Sequence, residues 1–254
     1  ISVCRASCAG SKEFLRTLPG LVVCGGYTEQ GGIVRDVRRL DMATLRWEPM
    51  PALVTARAGH ACCAVRGTLV VLGGETTTGE GSPISSEVEI LSSGAFGALP
   101  SLSRGAIEVD ERDSTSGQVL LLGGANAANS VLSTVQLVDL ATGACAQQPT
   151  LLHSRVYPAA ARLPDGRIIC AGGFDDDGVD LSSAEVWGPP DQGGADAAWA
   201  WRALPAMSEG RFGCCGCVMS DGRFAVLGGR AMGGGPVSSC EALVMGDAAH
   251  WENM

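Results

Sequence analysis

Leu69-Val70-Val71-Leu72-Gly73-Gly74 is an apolar run that ends in two glycines, and the chain contains five runs of this kind. The other four end in the glycine pairs Gly25-Gly26, Gly123-Gly124, Gly172-Gly173 and Gly228-Gly229. Short apolar runs bounded by turn residues are typical of β-strands. Because the pairs recur roughly every 50 residues, the sequence predicts a repeat architecture.

Three further features recur with the same spacing as the glycine pairs. Each run follows an X-Gly dipeptide, which supplies the positive φ of a tight hairpin: Pro19-Gly20, Arg66-Gly67, Ser116-Gly117, Asp165-Gly166 and Asp221-Gly222. An arginine lies upstream of each dipeptide: Arg5, Arg57, Arg104, Arg155 and Arg211. A polar loop and a strand-like stretch follow each pair, and then an aromatic residue or its substitute: Trp47, Phe96, Cys145, Trp201 and Trp251.

These features predict a unit of four short antiparallel strands, called A to D in chain order. We expect strand A to carry the arginine, strand B to end in the glycine pair and strand D to carry the aromatic residue. Such a unit buries little surface alone, so the units must pack face to face, and radial repetition gives a propeller. The approximate units are residues 3–51, 52–100, 101–149, 150–205 and 206–254 of a single domain, 1–254.

The glycine pair after an apolar strand, with a Trp seven residues after an aromatic position, resembles the kelch-repeat β-propeller family over about residues 3–253. Here the seven-residue step joins Leu40 to Trp47 and Val244 to Trp251, while Val138 leads to Cys145 where Trp is expected. The resemblance implies an all-β propeller of five four-stranded antiparallel blades. Since the family mostly closes with six or seven blades, either five blades close directly or the chain is part of a larger, six-bladed ring.

The composition excludes several classes of protein. The formal net charge is −9, which argues against a duplex nucleic-acid binder. The longest apolar runs fall far short of the about 20 residues of a membrane helix, so we expect a soluble protein without membrane insertion. Eleven cysteines cannot all pair within one chain, and several lie in apolar runs, so we expect reduced, structural cysteines in an intracellular, reducing compartment, cytoplasm or organelle interior. Cys4 to Cys8 and Cys214 to Cys217 are weaker candidates for redox or metal chemistry.

The ten paired glycines and the tryptophans have a structural interpretation. A residue without Cβ lets the backbone turn sharply and approach a neighbour closely. Polar loops rather than helices follow the pairs, and no Lys-Ser/Thr follows, so a phosphate-binding loop is disfavoured. The tryptophans are predicted to pack between blades.

Few residues are candidates for chemistry. His60, His153 and His250 fall at different positions of the repeat, which disfavours a three-histidine metal site. The copper-radical oxidases that share this fold need paired Tyr and His ligands and a Tyr–Cys crosslink, which Tyr27 and Tyr157 do not supply. The acidic run 174–180 lacks the bidentate Glu of a calcium loop, and we predict a solvated loop. We expect no catalytic set, no metal and no cofactor.

The five arginines are the one constellation that radial symmetry would bring together. Their forked donors suit the carboxylates of an acidic peptide, and kelch adaptors that resemble this sequence use arginines at this position for that purpose. The alternative is that each arginine pairs with carbonyls or carboxylates of a neighbouring blade and holds the ring together. The two roles are compatible.

The sequence therefore predicts a protein-interaction module or scaffold that binds a partner protein through the loops of one face, without catalysis. An enzyme of the sugar-acid isomerase or lyase type is the alternative, and it would require an acidic residue at the axis from among Glu75, Asp175 and Glu29. A third possibility is an architectural subunit of a large complex.

Overall fold

The computed structural model describes residues 2–5, 21–41, 44–65, 68–78, 84–92, 94–99, 109–113, 117–126, 128–190, 198–233, 235–246 and 248–254. These residues form strands, turns and loops, and the predicted all-β propeller of five four-stranded antiparallel blades is confirmed. None of the described segments contains a helix with the length and apolarity needed to cross a membrane.

The strands follow the predicted order A to D in every blade. Blade 1 contains β1 (Ser2–Arg5), β2 (Leu21–Cys24), β3 (Val37–Asp41) and β4 (Arg46–Met50). Blade 2 contains β5 (Ala61–Val65), β6 (Thr68–Leu72), β7 (Val88–Ser92) and β8 (Ala95–Leu99). Blade 3 contains β9 (Val109–Asp113), β10 (Gln118–Leu122), β11 (Val135–Asp139) and β12 (Cys145–Gln148).

Blade 4 contains β13 (Ala159–Arg162), β14 (Ile168–Ala171), β15 (Ala184–Gly188) and β16 (Ala200–Leu204). Blade 5 contains β17 (Cys215–Val218), β18 (Phe224–Leu227), β21 (Cys240–Val244) and β22 (His250–Asn253). A small hairpin of β19 (Arg230–Ala231) and β20 (Gly235–Pro236) lies within its B–C connection. The A strands of successive blades contact one another from β1 to β17, which places strand A at the axis.

The core consists of apolar clusters between successive blades rather than within one sheet. Blades 1 and 2 share Cys24, Val71 and Phe96, and blades 2 and 3 share Leu72, Val88 and Leu121. Blades 3 and 4 share Leu122, Ile168 and Trp201, and blades 4 and 5 share Ile169, Phe224 and Leu243. Among the described residues, no such cluster joins blade 5 to blade 1.

The strand D aromatics pack as predicted in three blades but not in the first. Phe96, Trp201 and Trp251 each face the preceding blade, and the indole N–H groups of Trp201 and Trp251 donate to the carbonyls of Pro149 and Pro205. Trp47 is 45% exposed, so the prediction that it packs between blades is wrong. The corresponding Trp201 is only 7% exposed, because blade 3 covers it.

The glycine pairs lie where the backbone of one blade meets the next. All ten paired glycines have positive φ, between 51° and 107°. A Cβ on Gly123 or Gly172 would stand 2.4 or 2.6 Å from the carbonyl oxygen of Arg155 or Arg211 in the following blade. Glycine is thus required both by backbone conformation and by the close approach of a neighbouring blade.

We expect Gly172→Ala to destabilise the fold much more than Gly213→Ala. Both residues have positive φ, 71° and 59°, but a Cβ at Gly213 meets no atom within 4 Å. The control should lose about 1–2 kcal/mol from backbone strain alone, whereas the Cβ at Gly172 must also push two blades apart. Thermal unfolding followed by calorimetry measures the difference. Equal losses would show that the close approach between blades carries no cost.

Candidate functional site

The predicted arginine positions fall into three groups. Arg57, Arg155 and Arg211 lie in the D–A connections, four residues before strand A in each case, and not within strand A as predicted. Arg5 is the last residue of β1, paired with Leu21, so the prediction that it occupies the equivalent position is wrong. Arg104 lies outside the described residues.

Each of these three arginines is completely buried and faces a glutamate on strand C of its own blade. The Nη2 atoms of Arg57, Arg155 and Arg211 lie 2.6, 2.6 and 2.7 Å from carboxylate oxygens of Glu89, Glu185 and Glu241. The Nη1 atoms donate to the carbonyls of the first paired glycines, Gly73, Gly172 and Gly228. We call these three arginine–glutamate pairs the staples.

The glutamate of each staple also holds the chain that enters its blade. Glu89 accepts hydrogen bonds from the amide N–H groups of Val54 and Thr55, at 2.6 and 3.0 Å. Glu185 accepts a hydrogen bond from the amide of Leu152, and Glu241 accepts hydrogen bonds from both the amide and the hydroxyl of Ser208. The sequence reasoning missed these glutamates, although they recur at the same position of strand C in three of the five repeats.

The backbone of the same arginine joins its blade to the preceding one. The carbonyls of Arg57, Arg155 and Arg211 accept the amides of Gly26, Gly124 and Gly173, at 2.8–2.9 Å. Their amides donate to the carbonyls of Val34, Leu132 and Leu181. The arginine therefore acts within its blade through its side chain and between blades through its backbone.

The expected pairing of these three side chains with a neighbouring blade is wrong, because each guanidinium binds a glutamate and a glycine carbonyl of its own blade. The link between blades is made by the backbone of the same arginines. Capture of an acidic peptide by the arginines stays a prediction, and it would require a buried guanidinium to exchange its own carboxylate for that of the partner. Because an ion removed from water without a partner is costly, such an exchange is unfavourable. A partner-binding surface has to be sought among exposed side chains.

We expect Glu185→Gln to lower the free energy of unfolding by about 3–5 kcal/mol, since it leaves the Arg155 guanidinium buried without its counter-charge. The matched control is Glu48→Gln, which removes the exposed ion pair between Arg39 and Glu48 and should cost less than about 1 kcal/mol. Thermal unfolding of both variants tests this. A loss at Glu185 as small as that at Glu48 would contradict the staple.

A second set of residues converges at the axis, on the end of the propeller that carries the B–C and D–A connections, which we call the loop face. The position directly after each glycine pair is occupied by Tyr27, Glu75, Ala125, Phe174 or Arg230. Each of these residues forms a β-bridge with another residue of the loop face, and this backbone pairing holds it in place. The repeat thus presents five different side chains on one framework.

The Tyr27 hydroxyl binds the carboxylate of Glu75, and the charge of Glu75 also acts on Tyr157. The Tyr27 hydroxyl donates to Glu75 Oε2 at 2.6 Å, and the hydrogen bond to this carboxylate, followed by burial, raises the pKa of Tyr27 to about 12. Burial is the main reason why the pKa of Tyr157 is raised, and the nearby charge of Glu75 adds to it. Both phenols therefore stay protonated at neutral pH.

Tyr157 reaches across the axis because of an unusual backbone. It has a φ of 54°, and the equivalent positions in blades 2 and 5 are Gly59 and Gly213, with φ of 60° and 59°. Its hydroxyl lies 2.6 Å from where a Cβ on Gly59 would stand. A bulky residue where two other repeats have glycine is a signal that the sequence reasoning did not use, and strained positions of this kind cluster at functional sites.

Aromatic residues of blades 4 and 5 surround Tyr157. Its ring centroid lies 5.8 Å from that of Phe174 and 6.5 Å from that of Phe212. Phe174 and Phe212 themselves meet edge to face at 5.3 Å. We call Tyr27, Glu75 and Tyr157, with these two phenylalanines beside them, the axial cluster.

His60 lies just outside this cluster, buried between the glycine pairs of blades 1 and 2. Its Cε1 and Cβ atoms lie 3.0 and 2.7 Å from where Cβ atoms on Gly25 and Gly74 would stand. Burial, with the charge of Arg57 as the second cause, lowers the pKa of His60 to about 4. The imidazole is therefore neutral at physiological pH.

The lowered pKa of His60 predicts a loss of stability in mild acid. Between about pH 6.5 and pH 4 the unfolded chain binds a proton at His60 that the folded chain does not, so stability falls as the pH falls through this window. The loss attributable to His60 is about 2–3 kcal/mol. Urea denaturation of the protein and of His60→Gln across this range measures it, with exposed His153→Gln as the control. Identical pH profiles for the protein and His60→Gln would contradict the assignment.

The remaining sequence candidates do not join the axial cluster. Of the three predicted acidic residues, Asp175 closes its own loop by accepting the amides of Asp177 and Val179, and Glu29 is exposed. His153 lies in a D–A connection and His250 in β22. Cys214, Cys215 and Cys217 carry thiols, as do the other six cysteines whose side chains are described, while Cys4 and Cys8 lie outside this set.

The loop face is acidic and carries exposed apolar side chains. Its described acidic residues are Glu29, Asp36, Glu75, Glu87, Asp175, Asp176, Asp177, Asp180 and Glu209. Apart from the staples, its described arginines are Arg35 and Arg230. Large apolar residues exposed on this face are Tyr27, Val54, Leu152, Val179 and Met232.

Comparison with known proteins supports the family expected from the repeat. No protein-family model matches the chain. Kelch-like protein 34 of Homo sapiens is 26% identical over 218 residues, which cover 77% of this chain and 31% of that protein. This chain therefore spans about a third of the length of that relative. The repeats, the five blades and this relative support a kelch-repeat β-propeller family.

The solved structure of YjhT matches the fold. It superposes with a TM-score of 0.73 at 15% sequence identity, over 99% of this chain and 83% of that chain. At this identity the likeness concerns the arrangement of the blades alone.

Proposed function

We propose that the protein is an interaction module or scaffold that binds a partner protein through the loop face, without catalysis, in an intracellular, reducing compartment. The observation that carries the proposal is that the connections of this face are tied together into one exposed platform. A surface whose loops are held in place before binding loses little conformational freedom when a partner docks.

Carboxylates tie neighbouring B–C loops to each other. Asp176, in blade 4, accepts the amide of Val131 in blade 3 at 2.7 Å. Asp180 accepts the amide of Met232 in blade 5. An apolar cluster that includes Ile84, Ala125 and Val156 lies beneath the loops of blades 2, 3 and 4. The run 174–180, predicted as a solvated loop, is thus part of the platform.

The exposed groups of the platform favour a partner with a basic surface. Nine acidic side chains stand against two arginines outside the staples. Two of these nine described residues, Glu87 and Glu209, lie 3.1 and 3.2 Å from the guanidinium groups of Arg57 and Arg211, which leaves seven without an arginine of the staples. Opposite charges steer association and fix orientation, while the exposed apolar side chains supply contact area. The earlier expectation of an acidic peptide depended on the arginines, which are buried, so the charge of the partner in our proposal is reversed.

Photo-crosslinking distinguishes the two faces of the propeller. We expect a photoreactive residue placed at Val179 or Met232, on the loop face, to yield an adduct of defined mass with one partner, and the same residue at exposed Leu45, in a C–D turn, to yield none. Val179→Lys together with Met232→Lys should reduce partner capture at least tenfold, because the change removes apolar contact area and repels a basic partner, and Leu45→Lys should leave it unchanged. Adducts from Leu45 alone would contradict the proposal.

A second function, an enzyme of the sugar-acid isomerase or lyase type, is favoured by the axial cluster alone. A carboxylate hydrogen-bonded to a protonated phenol, as Glu75 is to Tyr27, is a pair that can move protons. Stabilisation of the protein by a sugar acid in a thermal-shift screen, lost in Glu75→Gln, would favour the enzyme over the interaction module.

A further inference from the structure

We propose that the axial cluster is the binding site for a primary ammonium group, the side chain of a lysine that the partner inserts at the axis. The proposal rests on the proposed function, because it assigns a recognition site to the loop face. It is carried by the hydrogen bond between the Tyr27 hydroxyl and the Glu75 carboxylate, with the aromatic rings around Tyr157 in the same cluster.

The hydrogen-bonding capacity of the cluster matches that of an ammonium group. The Tyr27 hydroxyl donates its single proton to Glu75 Oε2 and keeps lone pairs on its oxygen, and the second carboxylate oxygen, Oε1, keeps its own. Oxygens from two blades thus present acceptors side by side. An ammonium group has three donors and no acceptor, whereas water or a hydroxyl would bring lone pairs of its own.

The charge of the cluster is left uncompensated by the chain itself. In the part of the chain that the structure describes, Glu75 takes part in no ion pair with an arginine or histidine. This contrasts with Glu89, Glu185 and Glu241, which each face a guanidinium. A carboxylate that is partly buried and lacks a counter-ion is a favourable place for a cation from outside.

The surrounding rings add to the attraction and favour ammonium over guanidinium. Tyr157 and its neighbours Phe174 and Phe212 form a group of aromatic rings in the cluster, and the face of such a ring attracts a cation. Guanidinium recognition is strongest when both carboxylate oxygens accept in a planar fork, and here Oε2 already accepts from Tyr27 at 2.6 Å. A point-like ammonium needs no such fork.

The composition provides a specific probe of this site. The chain has two tyrosines, and both belong to the axial cluster. In protein labelled with ¹³C at the tyrosine ring, every tyrosine resonance therefore reports on the cluster. We expect acetyl-Gly-Lys-Gly-amide to shift both resonances saturably, with a dissociation constant of about 1–10 mM at physiological salt.

The controls test whether binding requires the ammonium group of the peptide and the carboxylate of Glu75, rather than only the net negative charge of the protein. The peptide with Nε-acetyl-lysine should cause no saturable shift, because it lacks the charge. Glu75→Gln should raise the dissociation constant of the lysine peptide at least tenfold. Glu29→Gln removes the same charge from an exposed position of the loop face, and it should change that dissociation constant less than twofold.

Equal shifts with the acetylated peptide, or equal weakening by the two substitutions, would overturn the inference. So would a preference for the arginine peptide. If partner capture depends on Val179 and Met232 while the lysine peptide fails to bind, this inference alone fails. If the lysine peptide binds through Glu75 but capture is independent of the loop face, the proposed function alone fails.

Discussion

The propeller depends on the arginine that stands before strand A, because this residue acts in two directions at once. Its amide and carbonyl hydrogen-bond to the preceding blade, and its guanidinium binds the glutamate and glycine carbonyl of its own blade. A short four-stranded sheet alone has two uncovered faces, and a buried ion alone costs free energy. Because one arginine makes both the ion pair within its blade and the backbone bonds to the preceding blade, the entry of the chain into a blade is coupled to the packing of that blade on its neighbour.

The staples set the framework and leave other positions of the repeat free to differ. The residue after the glycine pair has its backbone fixed by bridges, but its side chain differs from blade to blade. Tyrosine, glutamate, alanine, phenylalanine and arginine all occur there. The framework thus brings different side chains from distant repeats to the axis, which explains why a chemically distinctive cluster is found at the loop face.

The repeats are not equally strong. The glutamate of the staple is replaced by Arg38 in blade 1 and by Gln136 in blade 3, at the equivalent position of strand C. The first and last blades also expose residues whose equivalents are buried in blade 4. Trp47 in blade 1 corresponds to the buried Trp201, and Cys215 in blade 5 corresponds to the buried Ala159. Blades 2, 4 and 5 therefore contribute the described staples.

The sequence alone determined the blades, because glycine pairs, X-Gly turns and apolar runs are local features whose backbone requirements repeat with the unit. The same periodicity located the arginines but could not decide whether they face a partner or the interior. That depended on Glu89, Glu185 and Glu241, which lie some 30 residues away and approach only when the sheet forms. The register also decided that Arg5 stands at the far end of its strand.

The axial cluster was decided by tertiary structure alone. Glu75 could be named from its place after a glycine pair, but Tyr27 and Tyr157 come from blades 1 and 4, and nothing in their sequence spacing joins them to it. They meet because radial packing turns equivalent positions toward one axis and because the positive φ of Tyr157 directs its ring across that axis. Local sequence specifies the shape of each blade, whereas contacts across the axis exist only once the blades have been arranged around it.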